Sequence, residues 1–290
     1  MELRTLKTFQ KVAQLNSFSK AAIALGYTQA AVTIQIKQLE KELHTRLFDR
    51  FGKTITLTPQ GTTFYSYACR ILEESEKAQL ALQENHQPTG HLRIGMTESL
   101  CASIFPSLLH TFHKAYPQIT IQVHTSSPDI LLDMMNHNEV DIVYFIDQRL
   151  YHSDWIRVVD EPEEIVFVCH PKHPLLNKRE LSLDDILQSE LILTEKATSY
   201  RYDLEQYVLS KNQQLQPYLE IGNTEFIIHE LQNEIQISFL PYFCVKSYVE
   251  QGKLSLLYPK DYSLSVYRQI VYHKNKWLTP HMKAFLSFAK

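Results

Sequence analysis

The chain has 290 residues, enough for two or three domains, and its 44% hydrophobic and 21% charged content is that of a folded globular protein. No apolar run approaches the ~20 residues that a bilayer-spanning helix requires, and the polar opening segment MELRTLKTFQKVAQLNS lacks a signal-peptide core, so a cytoplasmic location is expected. The net charge of −3 is unevenly divided: residues 1–58 hold nine Lys/Arg against four Asp/Glu, a surplus of +5, leaving −8 for the remainder, so only the head is suited to meet phosphate.

Leu3, Leu6, Phe9, Val12 and Ala13 recur at helical spacing and predict a first helix ending near Leu15–Asn16. Ser17 is a suitable N-cap for a second, Phe18 to Leu25, which Gly26 stops. Thr28 caps a third, from Gln29 to about Leu43, with Val32, Ile36, Leu39 and Leu43 on one stripe. Two short helices joined by a tight turn make a helix-turn-helix. A strand-like Leu47–Arg50, a turn at Phe51-Gly52-Lys53 and Thr54–Leu57 then read as a two-stranded wing.

The third helix leaves Gln29, Ala30, Thr33, Ile34 and Lys37, next to Thr28, off its apolar stripe. Amides and hydroxyls suit base edges, small apolar groups suit thymine methyls, and cations suit phosphate. Arg50 and Lys53 on the wing are placed to reach phosphate or the adjacent minor groove.

Thr58 and Pro59 begin a further helix in which Phe64, Ala68, Ile71, Ser75, Ala78 and Leu82 alternate steps of four and three. That period predicts a coiled-coil seam and hence a dimerisation helix over 59–88, whose polar end with Pro88 and Gly90 reads as a domain boundary. Beyond it, strand and helix patterns alternate: Leu92–Met96, Ser99–Ala115, Ile119–Val123, Asp129–Asn136, Ile142–Ile146, and onwards to Ile237–Leu240. This predicts an α/β domain with a largely parallel sheet, long enough for two lobes around a cleft.

Other constellations are sparse. Cys69, Cys101, Cys169 and Cys244 form no CxxC pair, so neither a disulfide framework nor a zinc ribbon is expected. Cys101, near a helix start, is a candidate for a lowered thiol pKa and a redox role. His110 with His113 and His170 with His173 have spacings a metal uses, but no set of ligands is completed and solvent-facing histidines are expected. No cofactor motif and no nucleophile, base and oxyanion set is present, so an enzyme is not expected.

Phe18-Ser19-x-Ala21-Ala22-x-x-Leu25, Thr28-Gln29-x-Ala31-Val32-Thr33-x-Gln35-Ile36, Leu39-Glu40, Leu47-Phe48-x-Arg50 and Leu57-Thr58-Pro59-x-Gly61 resemble, in order and spacing, the LysR-type transcriptional regulators. Weaker matches continue through Asn138–Ile142, His173–Leu175, Leu181–Ile186, Gly222–Glu225 and Phe239–Pro241. The chain departs from the pattern at Ala30, Ile34 and His44, and at Glu234 and Gln236 where glycines are usual.

The resemblance implies an N-terminal winged helix-turn-helix (1–58), a long dimerising linker helix (59–88) and a C-terminal two-lobed α/β regulatory domain like periplasmic binding proteins (89–290). The lobes are expected at about 89–161 with 265–290, and at 162–264. It further implies a co-inducer between the lobes, at Thr97, Glu98, Ser99, Ser126, Ser127, Thr198, Ser199, Arg201, Asn223 and Thr224. Hydroxyls at strand-to-helix junctions suit an anion, yet any one of them also serves as a cap. Glu98 would repel an anion unless Arg201 balances it; an organic acid, amino acid or related metabolite is expected. The implied partners are double-stranded DNA with a dyad-symmetric site, the effector, a second or third and fourth copy of the chain, and RNA polymerase. A solute-binding module whose head only oligomerises is the alternative; loss of specific DNA affinity in Gln29 and Thr33 alanine variants would exclude it.

Overall fold

The computed structural model describes residues 1–51, 54–80 and 88–289. They form two units, one within residues 1–86 and the other within residues 87–290. No helix among the described residues is long and apolar enough to cross a membrane.

The first unit consists of α1 (Leu3–Leu15), α2 (Phe18–Leu25), α3 (Gln29–Glu42), the wing strands β1 (Phe48–Phe51) and β2 (Thr54–Leu57), and α4 (Pro59–Leu80). Its boundaries follow from capping chemistry. Asn16 ends α1 in the left-handed region (φ 46°) and Ser17 accepts the Lys20 N–H to start α2. Gly26 ends α2 at φ 68°, where a Cβ is costly, and Thr28 accepts the Ala31 N–H to start α3. His44, at a position where glycine is common in the family, still holds a left-handed φ of 50°.

Leu6, Phe9, Val12, Phe18, Ala21, Val32, Ile36 and Leu39 close the core of this unit, with the Phe9 ring 5.3 Å from that of Phe48 and 5.1 Å from that of Phe64. Glu40 fixes the wing to α3: its Oε1 accepts the N–H groups of Leu47 (2.8 Å) and Phe48 (3.3 Å). α4 starts so close to the wing that a Cβ on Gly61 would lie 2.0 Å from the Leu47 carbonyl oxygen.

The expected seam along α4 divides. Phe64 packs into the head, and Ala68, with Tyr65, Cys69 and Leu72, is buried in the head's own core. Ala68 therefore has no surface left for a partner helix. Ile71 and Ala78 are exposed and Ser75 half-buried, while Leu82 lies outside the described residues.

The second unit runs β3 (Gly90–Met96), α5 (Glu98–Ser103), α6 (Phe105–Ala115), β4 (Ile119–Thr125), α7 (Pro128–Asn136), β5 (Ile142–Asp147) and β6 (Trp155–Cys169). A short 3-10 helix (Pro174–Asn177) follows, then α8 (Leu183–Leu187), β7 (Ile192–Leu193), α9 (Ser199–Ser210), β8 (Leu219–Glu220) and α10 (Thr224–Asn233). β9 (Ile237–Pro241), α11 (Tyr242–Glu250), β10 (Ser255–Leu257), β11 (Leu264–His273) and α12 (Pro280–Phe288) complete it. The helix expected over 99–115 is interrupted at Ile104, just before Pro106, which removes a backbone donor.

The sheet is mixed rather than largely parallel. β4, β3 and β5 pair in parallel, but β11 is antiparallel to both β5 and β6. β6 spans both halves: residues 155–165 pair with β11, while 165–169 pair with β9 and 167–169 with β10. The chain enters the second half along β6 and returns along β11, so these two strands must run in opposite directions. That crossing is the source of the antiparallel pairs.

Within the first half, Asp141 joins β3 to the chain's C-terminal part. Its carboxylate accepts the Arg93 N–H at 2.8 Å and pairs with Arg93 Nη2 (2.6 Å) and Lys276 Nζ (2.8 Å). Burial alone would raise its pKa, but Lys276 and Arg93 hold it well below the usual carboxylate range.

Candidate functional site

Two surfaces carry the residues singled out by sequence. On the head, α3 turns Val32, Ile36 and Leu39 inward and leaves Gln29, Ala30, Ile34 and Lys37 exposed, with Thr33 half-buried among them. Ser19 of α2 donates to Gln29 Oε1 at 2.9 Å, which ties one end of that amide to the first helix of the motif. Thr33 donates to the Gln29 carbonyl at 2.9 Å, and Thr28 is occupied as the N-cap. Ile34 is 66% exposed, an apolar side chain presented to solvent on a polar face. Lys53 and the side chain of Arg50 lie outside the described residues.

The second surface is a cavity of about 390 Å³ between the two halves of the second unit. It is built from the ends of parallel strands and the helix starts that follow them, the usual location of a ligand crevice in such sheets. Thr97, Glu98 and Ser99 come from the junction of β3 and α5, and Ser126 and Ser127 from that of β4 and α7. Thr198 and Ser199 begin α9. These seven expected residues meet there, together with Tyr200, which lies inside the expected stretch 198–201, and with Thr194, Glu195 and Gly222, which the sequence did not single out as ligand contacts. The Ser199 hydroxyl donates to the Ile146 carbonyl at 3.0 Å, tying α9 to the end of β5.

Three expected residues do not line it. Arg201 is 1% exposed and points away from the cavity to pair with Glu205 at 3.2 Å, so it does not balance Glu98. Asn223 is the N-cap of α10, accepting the Phe226 N–H at 2.8 Å. Thr224 answers Glu98 instead: its backbone N–H donates to Glu98 Oε1 at 3.1 Å and Oε2 at 3.2 Å, and its hydroxyl donates to Oε2. A carboxylate from one half thus sits on the positive first turn of a helix from the other.

The charge around this cavity is one-sided. No Lys, Arg or His is among its lining residues. The Glu195 carboxylate lies against Gly222, where a Cβ would meet its Oε1 at 2.6 Å. Just beyond the lining, Asp147 ends β5; burial pushes its carboxyl up to about 6, with Asp203 and Asp129 adding to the shift against the N–H of Gln148.

The remaining candidates resolve into structural roles. Burial, then the nearby Glu98 carboxylate, raises the Cys101 thiol pKa, the opposite of what a reactive thiolate needs. All four cysteines are free. His170 and His173 accept the N–H groups of Lys172 and Leu175 in consecutive turns. His110 and His113 border a shallow hollow between α6 and the edge strand β4, and no cluster of three or more His, Cys, Asp or Glu able to hold a metal occurs among the described residues.

Models of known families match both parts of the chain. The profile described as "Bacterial regulatory helix-turn-helix protein, lysR family" matches residues 3–62, and that described as "LysR substrate binding domain" matches 85–290. The chain is 31% identical over 287 residues to the HTH-type transcriptional regulator GltR of Bacillus subtilis, covering 99% of this chain and 95% of that protein. It is 32% identical over 293 residues to YwqM of the same organism, described as an uncharacterized HTH-type transcriptional regulator, covering 100% and 99%. Among solved structures, a cysteine-to-aspartate variant of full-length OxyR from Pseudomonas aeruginosa superposes with a TM-score of 0.77 at 20% identity, covering 99% and 94% of the two chains. Full-length CbnR complexed with its target DNA gives a TM-score of 0.59 at 18% identity, covering 99% and 98%.

Proposed function

The chain belongs to the lysR family of transcriptional regulators, and on that premise we propose which of its residues read DNA, bind effector and join copies of the chain. It is a transcriptional regulator with a DNA-binding helix-turn-helix and an effector-binding domain, not an enzyme. In this reading, residues 1–58 form the DNA-binding domain, 59–88 the linker and 89–290 the regulatory domain.

α3 enters the major groove of a dyad-symmetric site with Thr28, Gln29, Ala30, Thr33 and Ile34 toward the bases and Lys37 toward phosphate, Arg50 and Lys53 following from the wing. The observation that supports this most is the division of α3 into a buried apolar stripe and an exposed face that includes an apolar Ile34. Copies of the chain pair through Ile71, Ser75 and Ala78 of α4, and RNA polymerase is the recipient of the signal in the cytoplasm. The cavity bounded by Thr97, Glu98, Ser99, Ser126, Ser127, Thr198 and Ser199 holds the effector, with Glu98 and Thr224 joining its two walls.

Gel-shift titration on promoter fragments tests the DNA reading. Gln29→Ala and Thr33→Ala should each weaken specific binding by about 1–3 kcal/mol and leave salt-sensitive non-specific binding intact. Specific affinity unchanged in the double variant would refute it.

A further inference from the structure

The cavity has hydroxyl-rich walls, and its only charged lining residues among those described are two carboxylates, the half-buried Glu98 and the exposed Glu195. Ser and Thr side chains line both of its walls, and the Thr97 hydroxyl makes no hydrogen bond within the described protein. The first turn of α10, which would otherwise attract an anionic ligand, is already filled by the Glu98 carboxylate. Glu195 brings a second carboxylate against Gly222, with neither an ion pair nor a side-chain hydrogen bond among the described residues. Neither cation of the flanking segment is among the lining residues: Arg201 is buried and pairs with Glu205 at 3.2 Å, and the exposed Lys196 has its Nζ 3.8 Å from the same Glu205 carboxylate.

A multiply charged anion entering this space would meet two carboxylates and no cationic side chain. Like charges repel, and the half-buried Glu98 is screened by solvent less than the exposed Glu195. A ligand with a cationic nitrogen meets the reverse situation. Its charge is balanced by Glu195 and by whatever lone pairs Glu98 keeps free. Its remaining polar atoms find the hydroxyls of Ser126, Ser127, Thr198 and Ser199, and its methylenes find Ile130, Ile146 and Tyr200.

We propose that the effector of this cavity carries an ammonium or guanidinium group, and that Glu98 and Glu195 select it against anionic metabolites. The inference rests on the cavity being the effector site. It narrows the expected ligand from organic acids and amino acids to amines and cationic amino acids, two sources of one chemistry.

The test is isothermal calorimetry on the full chain at constant ionic strength with putrescine, L-arginine, L-citrulline and succinate at millimolar concentration. L-citrulline keeps the outline of L-arginine without its side-chain charge. Putrescine or L-arginine should bind, L-citrulline should bind at least about tenfold more weakly than L-arginine where L-arginine is the ligand, and succinate should not bind. Whether putrescine alone suffices separates a free amine from a cationic amino acid. Glu195→Gln should weaken the cation about tenfold. Glu98→Gln should do the same and also lower the melting temperature, because it disturbs the contact with Thr224.

Succinate binding as tightly as the cations, L-citrulline matching L-arginine, or no heat from either cation overturns the proposal. Ser126→Trp, which fills the cavity, separates the two layers of the argument. If it abolishes succinate binding, the cavity is still the effector site and only the charge selection falls. If it leaves cation binding unchanged, the ligand lies elsewhere and the cavity reading falls with it.

Discussion

Asp147 gives a stability prediction with a definite sign. Its carboxyl titrates at about 6 in the folded protein, against about 4 for an unfolded aspartate. The folded state therefore holds its proton more tightly, and between those two values it binds more protons than the unfolded chain. Stability must fall as pH rises through that window and stay lowered above it. Two units correspond to about 3 kcal/mol, and partial exposure to solvent reduces this to about 2 kcal/mol. Asp147→Asn keeps an acceptor for the Gln148 N–H, which lies 2.7 Å away, and removes the charge. The variant should match the parent near pH 4 and exceed it by about 2 kcal/mol at pH 7. Both tryptophans, Trp155 and Trp277, lie in the second unit, so urea titrations followed by their fluorescence report on that unit at each pH. Parallel stability profiles for the two proteins from pH 5 to 8, or a variant weaker at neutral pH, would refute the reasoning.

Gly61→Ala should destabilise the head by about 3 kcal/mol, because its Cβ would meet the Leu47 carbonyl oxygen at 2.0 Å; circular dichroism should show an earlier first melting transition. Ala68→Glu buries a charge in the head and should abolish its folding, whereas Ile71→Glu should leave the melt unchanged and shift sedimentation toward monomer. A normal melt in the first variant, or an unchanged oligomer in the second, would contradict the division of α4 into inner and outer faces. Thr224→Val keeps the backbone N–H but loses the hydroxyl that donates to Glu98; effector affinity in calorimetry should fall about tenfold, and an unchanged affinity would separate that contact from binding.

The head was legible because its physics is local. Ser17, Gly26 and Thr28 set helix ends through groups two or three residues away, so a short window of sequence holds the whole cause. The crossing strands were not. The first ten residues of β6, WIRVVDEPEE, alternate too little to read as a strand, and only pairing with β11 more than a hundred residues later gives them a partner. The same distance hid Glu195, whose place in the cavity depends on Gly222 approaching from another segment. Arg201 shows the converse failure. A cation at a matching position suggested a counter-charge for Glu98, but its helix turns it toward Glu205 one turn on. On α4, regular spacing put Ala68 and Ile71 on one expected seam, but spacing does not say which of them meets the head of its own chain, as Ala68 does.

The two charged features of the cavity bear on one equilibrium. A carboxylate offers about four lone-pair sites, and Thr224 engages Glu98 through its N–H, shared between both oxygens, and through its hydroxyl on Oε2. Oε1 thus keeps room for a further donor while the two halves stay joined. A cationic ligand that takes this room binds the joined arrangement without displacing Thr224. An anionic ligand at the first turn of α10 would have to compete with Glu98. By linkage, a ligand that prefers the joined arrangement raises its population by the ratio of the two affinities and no more. On the proposed reading, the sign of regulation follows from which arrangement the DNA-bound assembly favours, with the carboxylate at position 98 as the point where a cationic effector would act on it.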